Sequence, residues 1–298
     1  MSDGTEVARA GAPRAIRHGH PTLRRIGRAL LIALILLWSA FPIYWALNTS
    51  FTTLNGAQSV PANFVPRPLT TQAYRTLLSG GAGGVANQFW RSFLNATIES
   101  TLATVLTVVI AVFAAYAFAR LEFRGKTVIL YTLLATLLLP VYATLIPLYR
   151  ILSDVHLVNT YLGIVLVYTS GFLPLAIWIM YNYFSSVPRE LEEAAFVDGA
   201  TPVVALLRVM IPVSAPGIAA TAIIVFLLGW AQFIFPLVLS SDLSTQPLTV
   251  VVAALYGQRI VPFNLLNAIG VLAAALPAII ALVLNRYIVQ GVMAGSIK

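Results

Sequence analysis

The sequence lacks cysteine altogether and is poor in charge, with charged residues making up only 9% of its 298 positions. Without cysteine the chain cannot form disulfides, thiolate nucleophiles, zinc–thiolate sites or iron–sulfur clusters. Soluble domains carry about 25% charged residues, so a water-soluble fold of this length would need far more polar surface than the chain supplies. A hydrophobic content of 59% and a mean hydropathy of +0.88 therefore indicate a membrane protein.

Several kinds of functional site are also missing. The net charge is +8, but the cations lie between apolar runs instead of clustering on one surface, which argues against a nucleic-acid partner. No GxxxxGK[ST] phosphate loop occurs, so we expect no ATP hydrolysis by that mechanism and no bound cofactor. His18, His20 and His156 do not form a metal set, and no catalytic constellation of the kind that a membrane enzyme would need can be assembled.

Six segments are apolar and long enough to cross about 30 Å of hydrocarbon, and each should be a helix because lipid offers no hydrogen-bond partners. The sequence thus predicts an all-α polytopic membrane protein. A six-helix domain at 28–290 lies between an N-terminal tail at 1–27 and a C-terminal tail at 291–298. The predicted spans are, approximately, 29–47, 95–119, 128–149, 161–184, 213–239 and 265–289.

The basic residues predict the orientation of these spans. If the N-terminus is cytoplasmic, thirteen of the 18 basic residues lie on the inner side of the membrane. Cytoplasmic segments carry an excess of Lys and Arg, so both termini are expected in the cytoplasm, with the chain in the cell (inner) membrane.

The centres of the six spans contain no Asp, Glu, Lys, Arg or His. A proton-driven carrier would keep a titratable group near the midplane, whereas sodium coupling could use carbonyls and hydroxyls and so stays open. Trp230, Gln232 and Asn267 are candidates to line a polar path, although such side chains also bond neighbouring helices. Glu99 lies near the outer end of the second span, where snorkelling or a loop contact would explain it.

Acidic residues are rare, yet four of the ten fall within nine positions of the segment 185–212, here named the acidic segment: Glu190, Glu192, Glu193 and Asp198. Carboxylates in a first helical turn complement the helix dipole, and Gly199 is suited to a left-handed turn after the helix. Thr201 and Pro202 favour the start of a second helix. The pattern predicts a cytoplasmic helix–turn–helix, which is either a solvated loop or a docking element.

The second helix of the acidic segment is predicted to be amphipathic. Its apolar residues recur at i, i+3, i+4 and i+7, which places them on one helical face. These residues are Val203, Leu206, Leu207 and Met210.

The acidic segment resembles the EAA loop of binding-protein-dependent ABC importer permeases. Glu193-Ala194-Ala195 is followed after three residues by Gly199 and after nine more by Val209-Met210-Ile211-Pro212, where Val209 and Ile211 are conservative departures. Three further stretches resemble the carbohydrate permeases related to the smaller membrane subunit of the maltose transporter: DGATP at 198–202, AAYAFARLEFRGK at 114–126 and RYIVQGVMAGSIK at 286–298.

This resemblance implies a type I ABC importer permease. In that family two permease chains form the path through the bilayer, usually as a heterodimer. A cytoplasmic ABC ATPase dimer consumes the ATP, and an extracytoplasmic solute-binding protein delivers the solute, here to the loop 240–264. The chain itself would be no enzyme. By position, the residues that couple it to the ATPase would be Glu193, Ala194, Ala195, Asp198, Gly199, Pro202 and Pro212.

The cargo implied by the resemblance is a sugar or a related solute. Two alternatives stay open at this point: an ABC importer for a solute other than a sugar, and an ion-coupled secondary transporter.

Overall fold

The computed structural model describes residues 21–79, 84–257 and 262–294, with side chains described between 25 and 284. In these ranges the regular structure is helical. Of the predicted tails, 1–27 and 291–298, residues 1–20 and 295–298 lie outside the described residues. The described elements are α1 Pro21–Ser50, α2 Leu54–Ala57, α3 Gln72–Leu78, α4 Gly84–Arg120, α5 Lys126–Ala135, the 3₁₀ turn Thr136–Leu138, α6 Val141–Asp154, α7 Tyr161–Ser186, α8 Glu190–Val197, α9 Pro202–Ala205, the π turn Leu206–Met210, α10 Ile211–Val213, α11 Ala215–Trp230, α12 Ile234–Leu239, α13 Leu248–Tyr256 and α14 Phe263–Ala294.

Four of the described helices are long and apolar enough to cross a membrane: Arg25–Ser50, Gly84–Arg120, Tyr161–Ser186 and Phe263–Leu284. Two bent helix pairs also qualify by length and composition, and the total becomes six if each pair is one span. These pairs are Lys126–Leu138 with Val141–Asp154, bent by 100°, and Pro202–Val213 with Ala215–Trp230, bent by 79°.

The predicted spans 128–149 and 213–239 are not continuous helices. In the first, Leu139 leaves the helix with ψ of 128° because Pro140 disfavours helical backbone in the residue before it. In the second, α11 ends at Trp230 and α12 begins at Ile234. Side chains satisfy the backbone in this second break, since the Thr249 hydroxyl donates to the Gln232 carbonyl at 2.7 Å.

The main core lies where α4, α7 and α11 meet, and small residues allow these helices to pack closely. A Cβ atom at Gly217 would lie 2.4 Å from the ring of Tyr183 on α7. A Cβ atom at Gly229 would lie 3.2 Å from Ser100 on α4. Small residues at membrane helix interfaces permit such close approach. Gly217 therefore allows α11 to pack closely against α7, and Gly229 allows it to pack closely against α4.

The chain divides into two compact units, Met1–Trp45 and Ala46–Lys298. The second unit contains the core and the acidic segment. Within it, a second apolar cluster forms around buried residues of α3, α4, α13 and α14: Leu77, Phe89, Leu255 and Ile269.

Candidate functional site

The turn in the acidic segment has the geometry that the sequence predicts. Gly199 has φ of 83°, and its N–H donates to the Phe196 carbonyl at 3.0 Å. The N–H of Ala200 donates to the Ala195 carbonyl at 2.9 Å. This pair of bonds is the Schellman arrangement, which satisfies the last carbonyls of α8. A left-handed turn at Gly199 is therefore confirmed.

The start of the second helix is also confirmed. Thr201 has extended backbone, with φ of −78° and ψ of 161°, and its hydroxyl accepts a hydrogen bond from the Val204 N–H at 3.4 Å. Pro202 follows in the first turn, where its missing N–H has no partner to lose. Together with the turn at Gly199, this cap fixes the angle between α8 and α9.

The predicted amphipathic face of the second helix is divided in the structure. Leu206 and Met210 are buried, whereas Val203 and Leu207 are 57% and 49% exposed. The π winding of Leu206–Met210 contributes to this division by shifting Met210. A π turn advances the chain by a smaller angle per residue than an α turn, so Met210 lies on the side of Leu206 and away from Val203 and Leu207. The expectation of one common face was wrong.

The acidic residues of the segment do not share one environment. Glu190, Glu193 and Asp198 are exposed, and Glu192 has only 4% of its surface accessible. The Glu192 carboxylate lies 3.0 Å from Arg120 Nε through its Oε2 atom, with both side chains 6% accessible. This contact is an ion pair rather than an aligned hydrogen bond. One of the four carboxylates is thus almost completely buried and paired within this chain.

Arg120 joins several elements at the end of α4. Its Nη2 atom donates to the Val187 carbonyl at 2.7 Å, just beyond α7, and lies 3.9 Å from the Met210 sulfur in the π turn. Tyr116, one turn earlier on α4, donates its hydroxyl hydrogen to Glu192 Oε1. A buried charge pair needs such additional bonds to offset its loss of hydration.

Sequence reasoning missed the pairing of Arg120 with Glu192. In the sequence, Arg120 is one of the basic residues that predict the orientation of the spans, and Glu192 is one of the carboxylates that complement the helix dipole. One signal was available, because both residues occur in stretches that resemble the permease family.

Part of the acidic segment forms what we name the docking surface, defined as the solvent-facing residues of 193–207. It contains the carboxylates of Glu193 and Asp198. It also contains three exposed apolar side chains, which are Val197, 87% exposed, Val203 and Leu207. Large apolar side chains grouped at a surface are typical of an interaction site. The structure brings together most of the predicted residues on this surface.

Two grooves lie on or beside the docking surface. One has a volume of about 380 Å³, and Ala195, Asp198 and Gly199 line it together with Arg208. The other, of about 250 Å³, is lined in part by Glu193 and Pro202. Ala194 is exposed on α8, whereas Pro212 is exposed in α10, beyond the π turn.

The three candidates for a polar path have local partners in this conformation. Trp230 packs edge-on against Phe93, with ring centroids 5.3 Å apart. Gln232 Oε1 accepts from the Phe233 N–H at 3.2 Å, in the break between α11 and α12. Asn267 Nδ2 donates to the carbonyl of Phe263 at 2.7 Å. None of these contacts tests a role in lining a path, which stays a prediction.

Glu99 lies inside the helix packing instead of at an exposed end. It is 0% exposed on α4, and neither carboxylate oxygen has a hydrogen-bond partner among the described residues. The expectation of snorkelling or a loop contact was therefore wrong. Asn95, one turn earlier, makes the loop contact: its Nδ2 donates to the carbonyls of Leu243 and Gln246 at 3.1 and 3.0 Å.

The loop between α12 and α13 is held by a second asparagine. Asn159, with φ of 59°, donates through Nδ2 to Asp242 Oδ2 at 2.9 Å and accepts from the Thr245 hydroxyl at 2.8 Å. Hydrogen bonds from Ser244 and then from Asn159 hold the pKa of Asp242 below its ordinary value. The first part of the predicted binding-protein loop 240–264 therefore has a defined conformation, whereas 258–261 lie outside the described residues.

Comparison with known proteins gives consistent matches over nearly the whole length. A family model described as "Binding-protein-dependent transport system inner membrane component" matches residues 107–294. The chain is 31% identical over 274 residues to the trehalose/maltose transport system permease protein MalG of Thermococcus litoralis, covering 91% of this chain and 94% of the relative. It is 30% identical over 272 residues to the sulfoquinovosyl glycerol transport system permease protein SmoH of Agrobacterium fabrum, covering 91% and 93%.

A solved structure shares the fold. It is a bacterial ABC transporter involved in the import of the acidic polysaccharide alginate, and one of its chains matches with a TM-score of 0.76 at 23% identity. The match covers 93% of this chain and 99% of that chain. At this identity the likeness concerns the fold alone.

Proposed function

Since this chain belongs to the family of binding-protein-dependent transport system inner membrane components, we propose that it is the permease subunit of an ATP-driven importer for a sugar or a related solute. The observation that carries the proposal is the 31% identity to a trehalose/maltose permease over 91% of the chain. The predicted centres of the spans, which do not include Glu99, contain no charged residue. This agrees with the proposal, because an importer powered by a separate ATPase needs no titratable group there.

The acidic segment is proposed as the contact with a cytoplasmic ABC ATPase dimer. Both termini then lie in the cytoplasm, as the basic residues predict. The roles are carried over from the family motif by position in the sequence, and the exposure of most of these residues supports them. Glu193 and Asp198 are exposed polar anchors, Ala194 and Ala195 allow close approach, Gly199 sets the turn, Pro202 starts the second helix, and Pro212 lies where that helix leads towards α11.

The opposite side of the membrane is assigned to the solute-binding protein. The α12–α13 loop, fixed by Asn95 and Asn159, is the proposed contact on that side. A second permease completes the translocation path through the bilayer, and ATP is bound only by the ATPase.

The proposal is tested by reconstituting the chain in proteoliposomes with a second permease, an ABC ATPase and a solute-binding protein from the same organism. Radiolabelled trehalose and maltose serve as probes. We expect uptake that requires ATP and persists when ionophores dissipate proton and sodium gradients. Uptake that is driven by an ion gradient without ATP would instead establish a secondary carrier. ATP-dependent uptake of amino acids or polyamines with no uptake of either sugar would establish an importer of another cargo.

Glu193→Lys should weaken the association with the ATPase. Glu193 is exposed on the docking surface, and its replacement reverses the charge that the ATPase meets without disturbing the buried ion pair of Glu192. Charge reversal at an interface places like charges together or removes a favourable pair. The measurement is the amount of ATPase that is retained when the tagged permease is purified.

Glu190→Lys is the matched control for that experiment, because Glu190 is also exposed in the first turn of α8. It should retain nearly as much ATPase as the original chain. If Glu193→Lys also retains the original amount, Glu193 is only a solvated residue.

A further inference from the structure

The chain connections from α8 to the membrane helices α7 and α11 are not continuous helix. On one side, Val187–Arg189 separates α7 from α8 and is not helical. On the other side, the chain bends by 79° at the junction of Val213 and Ala215. A displacement of α8 would be absorbed by bending at these two points if no other connection existed.

Arg120 connects α8 to α4 by side-chain contacts, in addition to the chain path through these two points, and it also holds Val187 at the first of them. It holds Glu192 of α8 in the buried ion pair and the Val187 carbonyl in a hydrogen bond of 2.7 Å. Tyr116 adds its hydroxyl to the same carboxylate. These contacts attach the acidic segment to the end of α4 by side chains that are protected from water.

The helix on which Arg120 lies is suited to carry a displacement over a long distance. Of the four long helices described, α1, α7 and α14 contain Pro42, Pro174 and Pro277, whereas α4 contains no proline over its 37 residues. Proline in a helix removes a hydrogen bond and favours a kink. α4 is therefore the long helix that lacks this cause of bending.

The other end of this rigid helix contacts the α12–α13 loop. Asn95 lies 25 positions before Arg120, which corresponds to about 37 Å at the rise of an α-helix. Its amide group binds the carbonyls of Leu243 and Gln246. One unbroken helix thus links the acidic segment to the loop on the opposite side.

We propose that α4 is a strut, locked to the acidic segment by Arg120 and Glu192 and to the α12–α13 loop by Asn95, which transmits displacement between the two sides of the membrane. Arg120, Glu192 and Asn95 act as positioning residues. This inference rests on the proposed function, because it assumes an ATPase on one side and a binding protein on the other. It assigns the transmission to side-chain contacts that the coupling motif itself does not contain.

The lock is tested by distance measurement in the complete complex of both permeases and the ATPase. The chain has no cysteine, so Leu121→Cys and Leu191→Cys give one pair of spin-label sites across the lock once any cysteines of the other subunits are replaced, and both residues are exposed. We expect one narrow distance distribution that is the same without nucleotide and after trapping with ATP and vanadate. Glu192→Gln should broaden this distribution, whereas Glu190→Gln should leave it narrow.

The functional readout is the hydrolysis of ATP in proteoliposomes, with and without the binding protein and trehalose or maltose. Glu192→Gln should retain basal hydrolysis and lose the stimulation. Asn95→Ala should also lose the stimulation while the labels across the lock keep their narrow distance. If Glu192→Gln does not assemble into the complex, Arg120→Lys is used in its place. Lysine keeps the positive charge but lacks the separate Nε and Nη2 groups with which Arg120 contacts Glu192 and the Val187 carbonyl.

The outcomes distinguish a failure of the proposed importer function from a failure of the strut. If the original complex shows no hydrolysis stimulated by the binding protein, the proposed function fails. If the original complex is stimulated but Glu192→Gln, or Arg120→Lys in its place, keeps both the narrow distance and the stimulation, the strut is overturned. A distance in the original chain that changes on trapping with vanadate overturns it as well.

Discussion

Gly199→Asp is expected to leave the chain in the membrane and to abolish ATP-driven uptake. Gly199 has φ of 83° and lies in a groove beside the exposed Asp198, with nothing within 4 Å of a Cβ atom placed there. Aspartate tolerates left-handed backbone better than most residues, so strain is a small part of the effect. The main expected effect comes from an additional carboxylate next to Asp198 on the docking surface, where we propose that the ATPase binds.

Gly199→Asn is the matched control, because asparagine has the shape of aspartate and tolerates the same backbone without the charge. It should keep most of the uptake, measured in proteoliposomes at equal amounts of inserted permease. Loss of uptake in both variants would show that the bare backbone of glycine is needed. Full uptake by both variants would show that the turn at Gly199 does not contact the ATPase.

The parts of the site that the sequence predicted correctly obey local rules. The left-handed turn at Gly199 and the cap at Thr201 depend on residues within a few positions of each other, and the rules for helix ends concern such neighbours. The acidic first turn of α8 is local in the same sense. Four of the six predicted spans also correspond to continuous helices, because an apolar run in lipid has to be helical.

What the sequence did not predict depends on contacts between distant residues. Glu192 and Glu193 are adjacent and chemically identical, yet one is buried and the other exposed, because Arg120 and Tyr116 lie more than 70 positions earlier and face only one of them. Hydropathy also conceals breaks within apolar runs. The interruption at Gln232 contains no proline, and its backbone is stabilised by Thr249 of α13.

Arg120→Ala is expected to have the largest effect on stability. The replacement leaves the Glu192 carboxylate buried with only the Tyr116 hydroxyl as a partner. Removing one member of a buried ion pair costs about 3–5 kcal/mol, because the remaining charge is neither hydrated nor paired. We expect a clear fall in the unfolding temperature of the purified permease in detergent, followed by the fraction that stays monodisperse after heating.

The double variant Arg120→Ala/Glu192→Ala distinguishes an unpaired charge from lost packing. It removes both partners, so it should be more stable than Arg120→Ala alone, although it lacks more atoms. The pair of Lys126 and Glu122, 3.4 Å apart with the Glu122 side chain 79% exposed, is the control, and Glu122→Ala should change stability by only about 0–1 kcal/mol. If the double variant is as unstable as the sum of its single changes, the buried pair stabilises α4 and α8 through packing. The charge of Arg120 would then have no special part in joining them.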